Sequence, residues 1–205
     1  MSHAAATEML TVAVASSLYQ QMQLDVLAFE KKYAIKVRLI SGSTGRLYNQ
    51  IIQGAPFDVF IAADKQRPAL LMQQGRSLSQ HVMGQAYVAL QVANGFHQDL
   101  KILKQKNIRH IAIASPDVAP FGQAAKAVLQ QHGLWKDLKP KLVYAQNALQ
   151  AQMMLNKGLV DAAFVATGQE SVSLARIPYI GVLLSQDERA RQWLQHFSLS
   201  ETVGR

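Results

Sequence analysis

Residues 54–64, GAPFDVFIAAD, decide the fold class of this 205-residue chain. Gly54, Ala55 and Pro56 favour the end of a helix, because proline lacks a backbone donor and restricts the residue before it. The apolar run at 57–62 predicts a buried strand, and Asp64 can cap a following helix that reaches about residue 74. Helices alternating with strands in this way are typical of a parallel α/β sheet.

The same alternation extends toward the N-terminus. Residues 9–15, MLTVAVA, predict a first strand, which Ser16 and Ser17 interrupt. A helix is predicted from Leu18 onward, because the apolar residues that follow have helical spacing. Residues 35–40, IKVRLI, predict the second strand, and a turn at 41–45 leads into a helix at 46–53. This part of the chain therefore forms a first α/β unit.

The pattern starts again after residue 84 and predicts a second α/β unit. Strands are predicted at residues 87–92, 110–114, 141–145 and 161–166, and helices at 122–132 and 148–156. A short apolar run at 182–184 and a final helix at 187–197 follow. Two units of about ninety residues each lie within the size range of small domains.

Composition and charge exclude several classes of protein. The chain has no cysteine, so it has neither disulfides nor thiolate metal ligands. None of its six histidines has the spacing of a metal site, and no apolar stretch approaches the ~20 residues that span a bilayer. The net charge of +8 favours anionic partners. Because the basic residues are scattered along the chain, we do not expect nucleic acid to be one of these anionic partners.

Four polar turns follow predicted strands and precede predicted helices. In an open α/β sheet such turns lie at the carboxyl ends of the strands, where ligands bind. Helix starts there present free backbone N–H groups, and Ser or Thr hydroxyls add donors, so the turns together suit a small oxyanion. Each turn alone can also be an ordinary helix cap. The turns are Ser16-Ser17, Ser43-Thr44-Gly45, Pro120-Phe121-Gly122 and Gln146-Asn147-Ala148.

Specific stretches of the chain resemble a known family. LTVAVASSL at 10–18, SGSTGRLYNQI at 41–51, GAPFDVFIAAD at 54–64 and ASPDVAPFGQAAKAVL at 114–129 resemble the periplasmic molybdate-binding proteins of ABC importers. The resemblance implies the type II periplasmic binding-protein fold, an α/β fold of two lobes. Each lobe would be a mixed, mainly parallel sheet flanked by helices, and two crossing strands would join them. We expect residues 9–83 and 182–205 to form lobe 1 and residues 84–181 to form lobe 2.

The resemblance also implies oxyanion ligands in the cleft between the lobes. Ser17 matches a contacting serine of the family, and Thr44, with Ser43 beside it, matches a second one. Phe121 and Ala148 match positions that donate a backbone N–H. Ala166 stands where some members have a ligand-contacting tyrosine, so one hydroxyl donor is missing here. Arg46 is expected on a solvated helix face, because the family's cages use neutral donors.

The function that the resemblance implies is capture of molybdate or tungstate and delivery to the permease of an ABC importer. We expect a monomeric, periplasmic binding protein that has no cofactor, no cation ligands, no catalytic activity and no membrane-embedded part. Ser2-His3-Ala4 is similar to the end of a secretory signal, so the signal itself is expected to have been removed.

Two other classes of function stay open. A protein with this fold could bind another oxyanion, such as sulfate or phosphate. It could also be a ligand-sensing regulatory module, which a DNA-binding segment would favour, but the sequence shows none. An enzyme would need a general base in the cleft, and no residue can be named for that role.

Overall fold

The computed structural model describes residues 9–198, which form one mixed nine-stranded sheet with helices on both faces. Residues 2–4, with the signal-like sequence, and the end of the predicted lobe 1, at 199–205, lie outside the described residues. The strands are β1 (Leu10–Ala15), β2 (Val37–Gly42), β3 (Val59–Ala62), β4 (Ser79–Val92), β5 (Gly95–His97), β6 (Ile111–Ala114), β7 (Leu142–Ala145), β8 (Ala162–Thr167) and β9 (Ala175–Leu183).

Most helices lie in the connections between these strands. They are α1 (Tyr19–Tyr33), α2 (Thr44–Ile52), α3 (Gln66–Gln73), α4 (Pro120–Gln131), α5 (Trp135–Leu138), α6 (Ala148–Asn156) and α7 (Glu188–Ser198). Short 3-10 turns occur at Ser16–Leu18, Leu100–Lys104, Lys139–Lys141 and Glu170–Val172.

The strand order divides the sheet into two parallel halves joined by antiparallel strands. The order is β2-β1-β3-β9-β4-β8-β6-β7, with β5 paired to β4. In the first half β1 pairs in parallel with β2 and β3, and in the second half β6 pairs in parallel with β7 and β8. Between them, β4 and β9 pair antiparallel with each other. The predicted two-lobed fold with two crossing strands is confirmed.

Burial explains why these sequences form these elements. All six residues of β1 are buried, because helices cover both faces of the sheet at this point. Helix α1 buries Met22, Val26 and Phe29, which lie on one face of the helix. Phe29 packs its ring against Trp193 of α7 at a centroid distance of 4.9 Å. The last helix is thereby fixed to the first one.

The two crossing strands are longer than the sequence indicated. The prediction placed a strand at 87–92, but β4 already begins at Ser79, and the apolar run at 182–184 is only the end of β9. Both missed stretches contain polar residues with Gly84 or Pro178 among them, which weakens the strand pattern. The predicted lobe boundaries, at 83/84 and 181/182, fall within β4 and β9 and stay a prediction.

Candidate functional site

Four helix starts meet at the carboxyl ends of the parallel strands. Ser16 and Ser17 follow β1, and Ser43 follows β2 as the N-cap of α2. Helices α4 and α6 begin at Pro120 and Ala148 in the other half of the sheet. Since the first N–H groups of a helix have no partner within it, these starts concentrate free donors and the positive ends of helix dipoles in one place.

Residues from all four turns line one small pocket between the two halves of the molecule. Its cavity volume is about 10 Å³, which on the same measure is roughly the room for one water-sized molecule. In this conformation the pocket therefore has no room for a sugar or a nucleotide. The lining residues are Ala15, Ser16, Ser17, Gly42, Ser43, Thr44, Ala63, Ala119, Pro120, Phe121 and Ala148.

Two of the hydroxyls in the pocket accept hydrogen bonds from the protein. Ser17 Oγ accepts from the phenol of Tyr179 at 2.8 Å, and Thr44 Oγ1 accepts from the backbone N–H of Ala63 at 3.1 Å. Each hydroxyl keeps its own proton for donation. Burial raises the pKa of Tyr179, so its phenol keeps its proton.

The hydroxyl of Ser43 has no hydrogen-bond partner among the described residues, although Ser43 is only 3% exposed. A buried polar group without a partner costs roughly 1–3 kcal/mol, so such a group needs an explanation. Here the hydroxyl lies in the wall of the pocket, where a bound acceptor would satisfy it.

Backbone donors on the opposite wall come from α4 and α6. Pro120 occupies the first position of α4 and has no N–H, so Phe121 supplies the first free donor of that helix. A Cβ on Gly122 would lie 2.0 Å from the carbonyl oxygen of Ala114, so only glycine lets α4 start this close to β6. The side chain of Asn147 caps α6 by accepting from the N–H of Gln150, which places Ala148 at the wall.

None of the described residues that line the pocket carries a charge. Arg46 is exposed and donates to the side chain of Gln146 at 3.1 Å instead. Asp58 accepts from the N–H of Thr11 at 2.8 Å, and Asp64 accepts from the N–H of Arg67 at the start of α3. Asp64 thus accepts from the first turn of α3, as the sequence predicted, although Lys65 occupies the N-cap position itself. Both carboxylates bind elsewhere, and the site offers neutral donors.

The two halves touch next to the pocket. Gly45 of α2 donates its backbone N–H to the carbonyl oxygen of Val118 at 2.8 Å. A Cβ on Gly45 would lie 2.7 Å from that oxygen and 3.1 Å from Val118 Cα, so the contact depends on the missing side chain. This contact and the hydrogen bond from Arg46 to Gln146 join the two halves of the molecule beside the cleft.

Five of the six residues proposed from the sequence lie together in the pocket wall. They are Ser17, Ser43, Thr44, Phe121 and Ala148. The sixth, Ala166, lies on β8 opposite Val88 and is not among the described residues that line the pocket, so its role stays a prediction. Sequence reasoning missed Tyr179, since its contact with Ser17 depends on how β9 pairs with β3 and β4.

The described part of the chain offers neither a metal-ion cluster nor a helix suited to a membrane. Across residues 9–198, no group of three or more His, Asp or Glu side chains could hold a metal ion. In the same range, none of the helices combines the length and the apolar character that crossing a membrane requires.

Comparisons with known proteins agree with this geometry. A profile described as bacterial extracellular solute-binding protein matches residues 10–182. The molybdate-binding protein ModA of Azotobacter vinelandii is 36% identical over 77% of this chain, and that of Rhodobacter capsulatus is 34% identical over 81%. The matched regions span 64% and 67% of those two relatives. The solved periplasmic molybdate-binding protein of Azotobacter vinelandii superposes with a TM-score of 0.80 at 27% identity and 92% coverage of both chains.

The fold and the uncharged interlobe pocket are those of a two-lobed solute-binding protein. The chain belongs to the bacterial extracellular solute-binding protein family. The resemblance to the molybdate-binding proteins is confirmed by these relatives.

Proposed function

We propose that this protein captures molybdate or tungstate in the interlobe pocket and delivers it to the permease of an ABC importer. The observation that carries the proposal is the unpartnered hydroxyl of Ser43, buried in a pocket whose side-chain groups are otherwise hydroxyls and apolar groups. An anion rich in acceptor oxygens satisfies that hydroxyl. The names of the relatives supply the identity of the anion.

In the proposed complex the anion accepts hydrogen bonds from both lobes. The hydroxyls of Ser17, Ser43 and Thr44 donate from one side, and the backbone N–H groups of Phe121 and Ala148 donate from the other. Four helix dipoles and several charge-assisted bonds offset the loss of hydration without a cation in the wall. Because the anion bridges the lobes, binding favours the closed form, which is the form that a permease would recognise.

The pocket favours a fully deprotonated anion over hydrogen phosphate. At neutral pH hydrogen phosphate carries a proton that needs an acceptor, and the described lining residues include no carboxylate. Molybdate, tungstate and sulfate have no such proton. Sulfate is therefore the alternative that the site itself supports, and the size of the cage would decide between it and the larger anions.

The proposal includes a compartment and an oligomeric state. A protein that captures its ligand for an importer would act in the periplasm, and the superposed protein of Azotobacter vinelandii is a periplasmic one. A pocket made entirely by one chain supports a monomer. Capture and release require no cofactor and no catalytic step.

Isothermal titration calorimetry with molybdate, tungstate, sulfate and hydrogen phosphate tests the proposal. We expect molybdate and tungstate to bind at least about a hundredfold more tightly than sulfate, a difference of roughly 2.7 kcal/mol. Hydrogen phosphate should bind most weakly. If sulfate binds as tightly as molybdate, the protein is an importer component for another oxyanion. If none of the four binds, the oxyanion assignment is wrong.

A further inference from the structure

Tyr179 reaches the pocket region through strand pairing that is unrelated to the four turns. On β9, Ile180 pairs with Ala62 of β3, so Tyr179 lies one position beyond the carboxyl end of β3. Its ring belongs to the main core and only 1% of the residue is exposed. Tyr179 is not itself among the described residues that line the pocket, but its hydroxyl donates to Ser17 Oγ at 2.8 Å.

This hydrogen bond determines what Ser17 can do. A hydroxyl oxygen that already accepts a strong bond directs its own proton elsewhere, and Ser17 borders the pocket. The buried phenol must donate to some acceptor, because an unpaired polar group in the core is costly. Ser17 Oγ is the acceptor that the strand register provides, so the serine is presented to the pocket as a donor.

We propose that Tyr179 is a positioning residue that fixes Ser17 as a hydrogen-bond donor to the anion and thereby helps the site reject protonated anions. The proposal rests on the proposed function. With one lone pair of its oxygen engaged by Tyr179 and its own proton directed into the pocket, Ser17 offers the anion a donor and is a weaker acceptor for the proton of hydrogen phosphate. Thr44 Oγ1 likewise accepts from the backbone N–H of Ala63, so two of the three hydroxyls proposed to contact the anion have their own protons free to donate.

The test compares Tyr179→Phe with the wild-type protein. This variant removes one buried oxygen and leaves the ring in the core. We expect molybdate affinity to fall roughly three- to thirtyfold, because Ser17 loses its orientation. We expect the ratio of phosphate to molybdate affinity to rise about tenfold or more, because Ser17 Oγ is then free to accept a proton. A role in packing alone would leave that ratio unchanged.

Two further variants sharpen the result. Tyr87→Phe is the matched control, because Tyr87 is also buried but its hydroxyl accepts from Gln85 instead. It should bind every anion like the wild type. Ser17→Ala combined with Tyr179→Phe should bind molybdate no more weakly than Ser17→Ala alone, since Tyr179 acts through Ser17.

The outcomes separate the two proposals. If the wild type binds no oxyanion, the proposed function fails. If the wild type binds molybdate but Tyr179→Phe keeps both its affinity and its phosphate discrimination, only the role of Tyr179 is refuted. Additive losses in the double variant, or a Tyr179→Phe protein without a cooperative unfolding transition, would likewise assign Tyr179 to the core and overturn the inference.

Discussion

Replacement of Gly45 by alanine should weaken ligand binding without weakening the fold. In the closed structure the added Cβ would lie 2.7 Å from the carbonyl oxygen of Val118. Close carbon–oxygen contacts in proteins lie at about 3.3–3.6 Å, so the two lobes must separate here by roughly 0.6 Å. The distance from Gly45 N to Val118 O, now 2.8 Å, would then approach the upper limit for a hydrogen bond.

The expected loss of affinity follows from the weakened hydrogen bond and from the crowding around the added Cβ. Losing the bond costs the closed form about 0.5–1.5 kcal/mol, and residual crowding raises the total to about 1–2 kcal/mol. The Cβ would also lie 3.0 Å from Arg67 Nη2 in the same lobe, but that atom is the end of a flexible side chain that can move. Because the clash with the Val118 backbone exists only when the lobes meet, its cost reduces the population of the binding-competent form, and affinity falls about five- to thirtyfold. The ligand-free protein should be as stable as the wild type or up to about 1 kcal/mol more stable, because alanine favours a helix over glycine.

Calorimetric titration with molybdate and thermal unfolding without ligand measure the two quantities. Gly168→Ala is the matched control, because a Cβ at Gly168 meets nothing within 4 Å. Small-angle scattering should show a more open ligand-free ensemble for Gly45→Ala. Wild-type affinity in that variant, or a loss of affinity accompanied by an equal loss of fold stability, would refute the idea that this contact governs closure.

Three further predictions concern single side chains. Ser43→Ala should leave the stability of the ligand-free protein unchanged or higher, because it removes a hydroxyl that has no partner among the described residues. It should weaken molybdate binding by ~1–3 kcal/mol in calorimetry. Unchanged affinity would make Ser43 only a buried cap residue. Arg46→Ala should change molybdate affinity less than tenfold, since Arg46 is exposed and lies outside the pocket wall. A hundredfold loss of affinity that persists at high salt would make Arg46 a direct ligand. Hydrogen bonds from the backbone N–H groups of His110 and Arg109 lower the pKa of Asp161. The ionised carboxylate therefore stabilises the fold at pH values above the ordinary aspartate pKa of about 3.9, and this stabilisation is lost as the pH falls below that value. Urea unfolding between pH 5 and 3 should therefore show a weaker pH dependence for Asp161→Asn, and an unchanged dependence would contradict this account.

Local signals in the sequence were sufficient for the elements that carry the site. Helix α6 has the predicted bounds, because the Asn147 cap fixes its start and Gly158, at φ +65°, lies just beyond its end. Strand β1 differs from the prediction by one residue. The strand-to-helix turns were visible for the same reason, since caps and glycines mark them, and the parallel sheet then brings them together.

Long-range register could not be read in the same way. That Tyr179 contacts Ser17 depends on how β9 pairs with β3, and nothing near Tyr179 in the sequence encodes that pairing. The sequence also grouped Ser43 with Thr44, although one hydroxyl is unpartnered among the described residues and the other is bonded to Ala63. The difference depends on where Ala63, just after β3, lies relative to the start of α2, and residue types alone do not determine that position.

The pairing of β3 with β9 also constrains how the molecule can fold. Val59 lies opposite Leu183, so the sheet that begins with β1, β2 and β3 is completed by a strand made much later in the chain. Contacts between residues so distant in sequence form slowly, because a long loop must close before they are gained. During synthesis the first three strands therefore leave an apolar sheet edge at Val59 and Phe60 without its partner until β9 emerges. Such an unpaired edge can aggregate while the chain is incomplete.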